Sequence, residues 1–132
     1  MDLIGYFKGA RTLDVPAGVI VFQEGEPGKD MYVLLQGTAQ VSIGGDTVEL
    51  AKEGSLLGEM ALVDSSARSA TVITVSACRF VLVDSRQFDL LVRESPQFAR
   101  HVMGVMAGRL RRMNERLREA VGEVGVHGRR PR

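Results

Sequence analysis

The sequence predicts a mainly β fold with α: about eight short strands in a sandwich or jelly roll, followed by helices. Short apolar runs broken by turn residues extend from residue 12 to residue 83, which is typical of strands. Helical periodicity replaces them from about residue 85 onward. A chain of 132 residues with 45% hydrophobic residues and 15 glycines is long enough for one domain with its own core and many turns.

The strands are predicted from alternation and from the turn residues between them. The alternation of apolar and polar residues is clearest over residues 39–43, and Gly44-Gly45-Asp46 directly after them is a hairpin signal. Residues 24–30 have the composition of a loop. The seven runs predicted as strands are residues 13–15, 19–22, 31–35, 39–43, 47–50, 70–75 and 78–83.

Three helical segments are predicted around these strands. Residues 2–7 predict a short N-terminal helical turn. Asp84 or Ser85 is expected to cap a helix over residues 86–93. Ser95 followed by Pro96 predicts a new helix start, with serine as the N-cap and proline in the first position.

The long helix that begins at Pro96 is expected to end near residue 120, where glycines begin to recur, and residues 122–132 are expected to form a flexible basic tail. Phe98, Val102 and Val105 form an apolar face suited to packing on the strands. A second apolar seam follows the heptad rule of coiled coils. Its members are Ala99, Met103, Met106, Leu110, Met113, Leu117, Ala120 and Val124.

Two apolar faces predict that this helix pairs with a partner helix, which makes the chain a homodimer. The alternative is a single amphipathic helix that packs once, on its own domain. The seam is rich in Met and Ala rather than in Leu and Ile, so the pairing is expected to be weak or adjustable.

The net charge, the apolar runs and the cysteine count limit the classes of protein to which this chain can belong. A net charge of +1 gives no overall bias toward nucleic acid or membranes. No apolar run reaches membrane-spanning length and no secretory signal follows Met1, so a soluble cytoplasmic protein is expected. Cys78 is the only cysteine, which excludes a disulfide within the chain and predicts a buried structural thiol.

The sequence gives no positive sign of catalysis or of a metal cofactor. His101 and His127 are the only histidines, and both lie outside the predicted strands, so no metal-ligating cluster is expected. A haem sensor would need His101 or Cys78 as an axial ligand and is disfavoured. No serine has a plausible His and Asp partner set. We therefore expect neither an enzyme nor a bound cofactor.

One stretch indicates an anion site. Gly58 opens an apolar helical turn whose backbone N–H groups, from Gly58 to Ala61, favour negative charge. Arg68 can add a bidentate pair to two phosphate oxygens. Glu59 would repel a phosphate but can accept from a hydroxyl of the same ligand, as in a cyclic nucleotide. The alternative is an ordinary helix start followed by a solvated Arg68.

This stretch resembles the phosphate-binding cassette of the cyclic nucleotide-binding domain family. The matching residues, in the family's order and spacing, are Gly58, Glu59, Met60, Ala61, Leu62, Arg68, Ser69, Ala70 and Thr71. Residues 25–37 resemble the family's early strands. The resemblance covers about residues 12–120 and implies an eight-stranded β-roll with the cassette between strands six and seven. We therefore expect one domain over residues 1–121, with the β-roll over about 12–84 and C-terminal helices over about 85–121.

The resemblance also implies the role of each site residue. Arg68 would pair with the cyclic phosphate and Glu59 would accept from the ribose 2′-hydroxyl. Backbone amides at Gly58, Glu59, Met60, Ala61, Ser69 and Ala70 would complete the cradle. Val41 and Leu57 would be apolar walls, and Met113 and Asn114 would meet the base. The implied ligand is cAMP, with cGMP as the alternative because Ser69 offers a hydroxyl.

The sequence also resembles the catabolite-activator-like proteins, whose chains continue into a helix-turn-helix domain. Too few residues follow Val121 for a second domain, so DNA binding is not implied for this chain. The chain is expected to be a free-standing receptor or the sensor part of a larger transcription factor, channel or kinase, acting on a downstream effector protein. A nucleotide-free interaction module of the same fold is the alternative.

Overall fold

In the computed structural model, the chain is described at residue 7, over residues 10–64 and over residues 66–125, with side chains described to residue 122. The predicted N-terminal turn over residues 2–7 lies outside these residues except for Phe7, which is buried. The elements in chain order are β1 (Thr12–Val15), β2 (Ile20–Phe22), β3 (Asp30–Gln36), β4 (Ala39–Ile43), β5 (Asp46–Ala51), β6 (Leu56–Leu57), α1 (Met60–Asp64), β7 (Thr71–Thr74), β8 (Cys78–Asp84), α2 (Ser85–Glu94) and α3 (Pro96–Gly125).

The strands form two four-stranded antiparallel sheets. The strand order is β1-β8-β3-β6 in one sheet and β2-β7-β4-β5 in the other. The predicted β-roll is thus confirmed, with α1 between β6 and β7 as the resemblance implies. All seven predicted runs are strands. The eighth, β6, was not predicted because two residues are too few to show alternation.

One apolar cluster draws on both sheets. Phe22, Val41 and Val72 come from the second sheet, and Leu34 and Phe80 from the first. Such residues recur at every second position of a strand, because successive side chains point to opposite faces. The cluster also contains Leu57, the last residue of β6, so the core extends to the start of the cassette.

The start of α2 confirms the predicted cap. The Asp84 side chain accepts from the Gln87 N–H at 2.8 Å, and the Gln87 side chain accepts from the Asp84 N–H at 3.3 Å. This reciprocal pair is a capping box, which satisfies two donors that a helix start leaves unpaired. Gln87, three residues after the cap, is the second member of this capping box. The prediction from sequence had named only the cap itself, at Asp84 or Ser85.

The chain divides into two compact units, Met1–Ser95 and Pro96–Arg132. Pro96 begins α3, as predicted. The helix continues past Gly122 to Gly125, so the first four residues of the predicted tail are helical. Residues 126–132 lie outside the described part. No helix among the described residues is long and apolar enough to span a bilayer.

Candidate anion-binding site

Gly58 turns the chain from β6 into α1. Its φ of 76° lies in the left-handed region, which a residue with a Cβ rarely adopts. Leu57, just before it, pairs with Tyr32 of β3, so the turn lies beside the start of that strand. The Gly58 carbonyl accepts from the Ala61 N–H at 3.3 Å. The Ala61 N–H, which the sequence predicted to be free for an anion, is therefore engaged within the turn.

Arg68 is fixed at its backbone by the loop between β2 and β3. Its N–H donates to the Glu26 carbonyl at 2.8 Å, and its carbonyl accepts from the Gly25 N–H at 2.8 Å. Thr71, three residues later, accepts from the Glu24 N–H at 3.0 Å through its hydroxyl. The segment leading into β7 is thereby held against the loop, and the start of the Arg68 side chain has a defined position.

The Arg68 side chain turns inward and is only 7% exposed. Its guanidinium carbon lies 4.3 Å from the ring centroid of Phe22 and 5.7 Å from that of Tyr32, both within cation–π range. Its Nη1 donates to the Gly58 carbonyl at 3.3 Å. The guanidinium is therefore located between two aromatic rings and the cassette turn, which excludes the alternative of a solvated strand residue at this position.

Two glycines line the guanidinium. A Cβ on Gly58 would lie 2.3 Å from Arg68 Nη1, and a Cβ on Gly28 would lie 2.2 Å from Arg68 Nε and 2.4 Å from its Cζ. Real Cβ atoms do not approach other atoms so closely. The backbone of both residues thus reaches the cation only because each lacks a side chain.

The charge of Arg68 lacks a close counterion. Among the residues that the structure describes, no carboxylate forms an ion pair with it, and the Asp30 carboxylate pairs with Arg11 instead. Burial lowers the pKa of Arg68, and electrostatic interactions with Tyr32, Asp30 and Glu26 act in the opposite direction. An arginine remains charged in proteins, so this site holds a buried cation that an anion would complete.

Glu59, beside Gly58, is also buried, with 4% of its surface exposed. Its carbonyl accepts from the N–H groups of Leu62 and Val63, which begins α1. A carboxylate at a buried position needs hydrogen-bond partners, and its side chain does not point into bulk solvent. Glu59 is thus the chain neighbour of Gly58, whose carbonyl accepts from the Arg68 guanidinium.

The other predicted cassette residues differ in exposure. Ala61 is buried and Met60 is exposed on α1. Ser69 is exposed, whereas Ala70 belongs to the core cluster together with Val41 and Leu57. The two predicted apolar walls, Val41 and Leu57, are therefore brought together in one cluster.

Met113 and Asn114 lie on α3, in the second compact unit, and both are exposed. Their predicted contact with the base stays a prediction.

Three residues around Arg68 were not predicted as part of the site: Phe22, Gly28 and Tyr32. They lie 36 to 46 positions before Arg68 in the chain, so no local spacing connects them to it. A glycine-containing loop between two predicted strands was the available signal for Gly28. The aromatic character of Phe22 and Tyr32 is equally consistent with ordinary core positions.

Comparisons with known proteins identify relatives of this chain. The family model described as the cyclic nucleotide-binding domain matches residues 12–95. A cyclic nucleotide-gated potassium channel of Mesorhizobium japonicum is 34% identical over 97 residues, covering 74% of this chain and 27% of the channel. A CRP-like cAMP-activated global transcriptional regulator of Mycobacterium tuberculosis is 25% identical over 119 residues, covering 86% of this chain and 53% of the regulator.

Solved structures are similar in fold. The crystal structure of the Thermus thermophilus catabolite activator protein gives a TM-score of 0.76 at 26% identity, covering 87% of this chain and 56% of that one. The cAMP-bound form of the EAL enzyme Bd1971 gives a TM-score of 0.61 at 28% identity, covering 88% of this chain and 32% of that one. The chain thus spans between about a quarter and about half of the relatives named here.

Proposed function

Since this chain belongs to the cyclic nucleotide-binding domain family, we propose that it is a regulatory receptor domain for cAMP, in which Arg68 binds the cyclic phosphate and α3 relays the bound state. The observation that carries this proposal is the buried Arg68 guanidinium, bordered by two glycines and lacking an ion pair among the described residues. A buried charge is costly unless it is paired. A cyclic phosphate carries one negative charge and two free oxygens, which suit the fork of a guanidinium.

Glu59 supports a ligand that also carries a hydroxyl. Its carboxylate is buried one residue from the Gly58 turn, where a phosphate alone would be repelled. A ribose 2′-hydroxyl can donate to this carboxylate while the phosphate on the same sugar faces Arg68. The pair of opposite charges thus favours a cyclic nucleotide over inorganic phosphate.

The choice of cAMP over cGMP is supported by the relatives rather than by a contact in this chain. The Mycobacterium tuberculosis regulator is named as cAMP-activated. The Bd1971 enzyme has been solved with cAMP bound and with cGMP bound, so it supports a cyclic nucleotide without separating the two bases. Ser69 is exposed and offers a hydroxyl suited to either base or to a phosphate oxygen. Asn114 offers both a donor and an acceptor to an adenine edge, and we propose that it and Met113 meet the base.

We also propose that a second copy of the chain covers the exposed seam of α3. Met103, Leu110, Met113 and Leu117 are each between 55% and 62% exposed, although they are apolar and share one helix face. Pairing through this seam would let the helix signal to an effector protein, without an enzymatic activity of its own. The lone buried thiol fits the cytoplasm, where disulfides are rare, and this is the location we propose.

The test of the proposal is isothermal titration calorimetry with cAMP, cGMP and inorganic phosphate. Arg68→Ala should weaken cAMP binding by about 2–5 kcal/mol, the usual cost of removing one partner of a buried charge pair. Arg68→Lys should recover only part of this loss, because an ammonium cannot pair with two oxygens in one plane. Arg79→Ala is the matched control, since that arginine is exposed and pairs with Asp14 on the surface.

An Arg68→Ala variant that binds cAMP within about threefold of the wild type, roughly 0.65 kcal/mol, would refute the role of this arginine. Wild-type protein that binds neither cyclic nucleotide would refute the receptor function itself. A tenfold preference for cGMP would keep the receptor function and reverse the choice of base.

A further inference from the structure

Phe22 and Tyr32 contact the anion-binding side chain without being part of the cassette. We propose that Phe22, assisted by Tyr32, is a positioning residue that holds the Arg68 guanidinium by its face and leaves its N–H edge free for the cyclic phosphate. This inference rests on the proposed function for its ligand, but the positioning itself is a property of the free protein.

The geometry of a guanidinium makes this arrangement effective. The group is planar, its five N–H donors lie in its plane, and its two faces carry no hydrogen-bonding atoms. A ring at 4.3 Å from the guanidinium carbon, as for Phe22, is attracted to the cation through the negative face of its π system. The contact therefore restrains the cation while consuming none of the donors that a phosphate needs.

The remaining restraints on the Arg68 side chain are weak. Its backbone is held by two hydrogen bonds of 2.8 Å to the loop that contains Gly25 and Glu26, but these hydrogen bonds do not set the side-chain torsion angles. Among its side-chain donors, Nη1 reaches the Gly58 carbonyl at 3.3 Å, which is longer than a strong N–H···O bond. The orientation of the guanidinium thus depends mainly on the two rings and on the glycine backbones beside it.

The rings are themselves fixed to the core. Phe22 and Tyr32 contact each other with centroids 5.6 Å apart, and Tyr32 meets Phe80 edge to face at 5.8 Å. Phe80 is fully buried in β8, at the centre of its sheet. The row Phe22–Tyr32–Phe80 therefore transmits the rigidity of the core to the cation, which is what a positioning role requires.

A first experiment tests the positioning in the nucleotide-free protein by NMR. The Arg68 Nε–Hε resonance should be shifted by the ring current of Phe22, and Phe22→Leu should remove that shift. Phe88→Leu is the matched control, because Phe88 is equally buried but lies on α2. A resonance that Phe22→Leu leaves in place would overturn the proposal whether or not the protein binds a nucleotide.

A second experiment measures cAMP affinity by calorimetry. Phe22→Leu should weaken binding by about 3- to 30-fold, the range of a partly desolvated cation–π contact. Replacing Phe22 by 3,5-difluorophenylalanine keeps the size of the ring and makes its face less negative. This variant should weaken binding by at least about twofold with an unchanged melting temperature. Phe88→Leu should bind as the wild type does.

Three results separate the possibilities. Wild-type binding of cAMP together with unchanged affinity in the difluoro variant and in Phe22→Leu would overturn the positioning role and leave the proposed function standing. A lost ring-current shift in a protein that binds no cyclic nucleotide would keep the positioning and overturn the proposed function. Equal losses of cAMP affinity in Phe22→Leu and Phe88→Leu would mean that Phe22 acts only through core packing, which would overturn the proposal.

Discussion

Gly28→Ala displaces the Arg68 guanidinium without removing any polar group. A Cβ at this position would lie 2.2 Å from Arg68 Nε and 2.4 Å from its Cζ. Comfortable contact between such atoms begins near 3.5 Å, so the guanidinium has to move by about 1 Å. The backbone of Gly28 lies outside the left-handed region, so alanine fits its conformation. The substitution should therefore change the site and spare the fold.

The expected loss of affinity follows from the phosphate contacts. A shift of about 1 Å breaks one of two charge-assisted hydrogen bonds between a guanidinium and a phosphate, each contributing about 1.5–3 kcal/mol. Affinity for cAMP should fall by about 10- to 150-fold. Stability should change by less than about 1 kcal/mol, because the colliding atoms belong to one side chain and not to the backbone, and alanine restricts the unfolded chain more than glycine does.

The assay combines calorimetry with thermal unfolding of the nucleotide-free protein, and a double-mutant cycle with Arg68→Ala is the control. In the Arg68→Ala background, adding Gly28→Ala should change affinity by less than about twofold, because the group that the methyl displaces is absent. A Gly28→Ala protein that melts like the wild type and binds cAMP within about threefold would refute the close approach of Gly28 to the binding arginine.

Three further outcomes are expected. Glu59→Gln should weaken cAMP binding by about 10-fold or more, but 2′-deoxy-cAMP binding much less, since that ligand lacks the hydroxyl; equal losses in calorimetry would mean that Glu59 only supports the turn. Leu110→Asp with Leu117→Asp should give a folded monomer in sedimentation, with altered cAMP affinity because dimerisation and binding are linked; a wild type that is monomeric with and without ligand would reject the pairing. Burial raises the pKa of Cys78 above its ordinary value of 9.0, so the neutral thiol contributes stability below that pH, and the contribution is lost as pH rises through the folded-state pKa. The wild type should thus lose more melting temperature than Cys78→Ala between about pH 8 and pH 10.5, and parallel losses would contradict the burial of the thiol.

The sequence alone determined the elements whose signals are local. Alternation over residues 39–43 and the following glycine pair fixed β4 and its hairpin with β5, because side-chain direction repeats every two residues in any strand. Asp84 determines the start of α2, because its side chain accepts a hydrogen bond from the N–H of Gln87, three positions later. The resemblance to the family's cassette could be recognised between Gly58 and Thr71, since all of the matching residues lie within one short segment.

Local sequence signals predicted the structure less well where an element depends on several small contributions to the folding free energy. Glycines near residue 120 predicted the end of the long helix, but Gly122 lies inside α3. A glycine costs a helix interior only about 1 kcal/mol relative to alanine, which the neighbouring turns can offset. β6 escaped prediction because its two residues are a strand only by pairing with Tyr32 and Val33 of β3.

Only the tertiary structure decided the surroundings of Arg68. Phe22, Gly28 and Tyr32 reach it because β2 pairs with β7 and β3 pairs with β6, which brings segments distant in sequence to one turn. The spacing of residues along the sequence does not show which strands pair, since strand pairing depends on the free energy of the whole core rather than on any local preference. Arg68 could thus be proposed as the anion-binding residue from its own segment, whereas its burial, its orientation and the absence of a close counterion among the described residues were set by strand pairing.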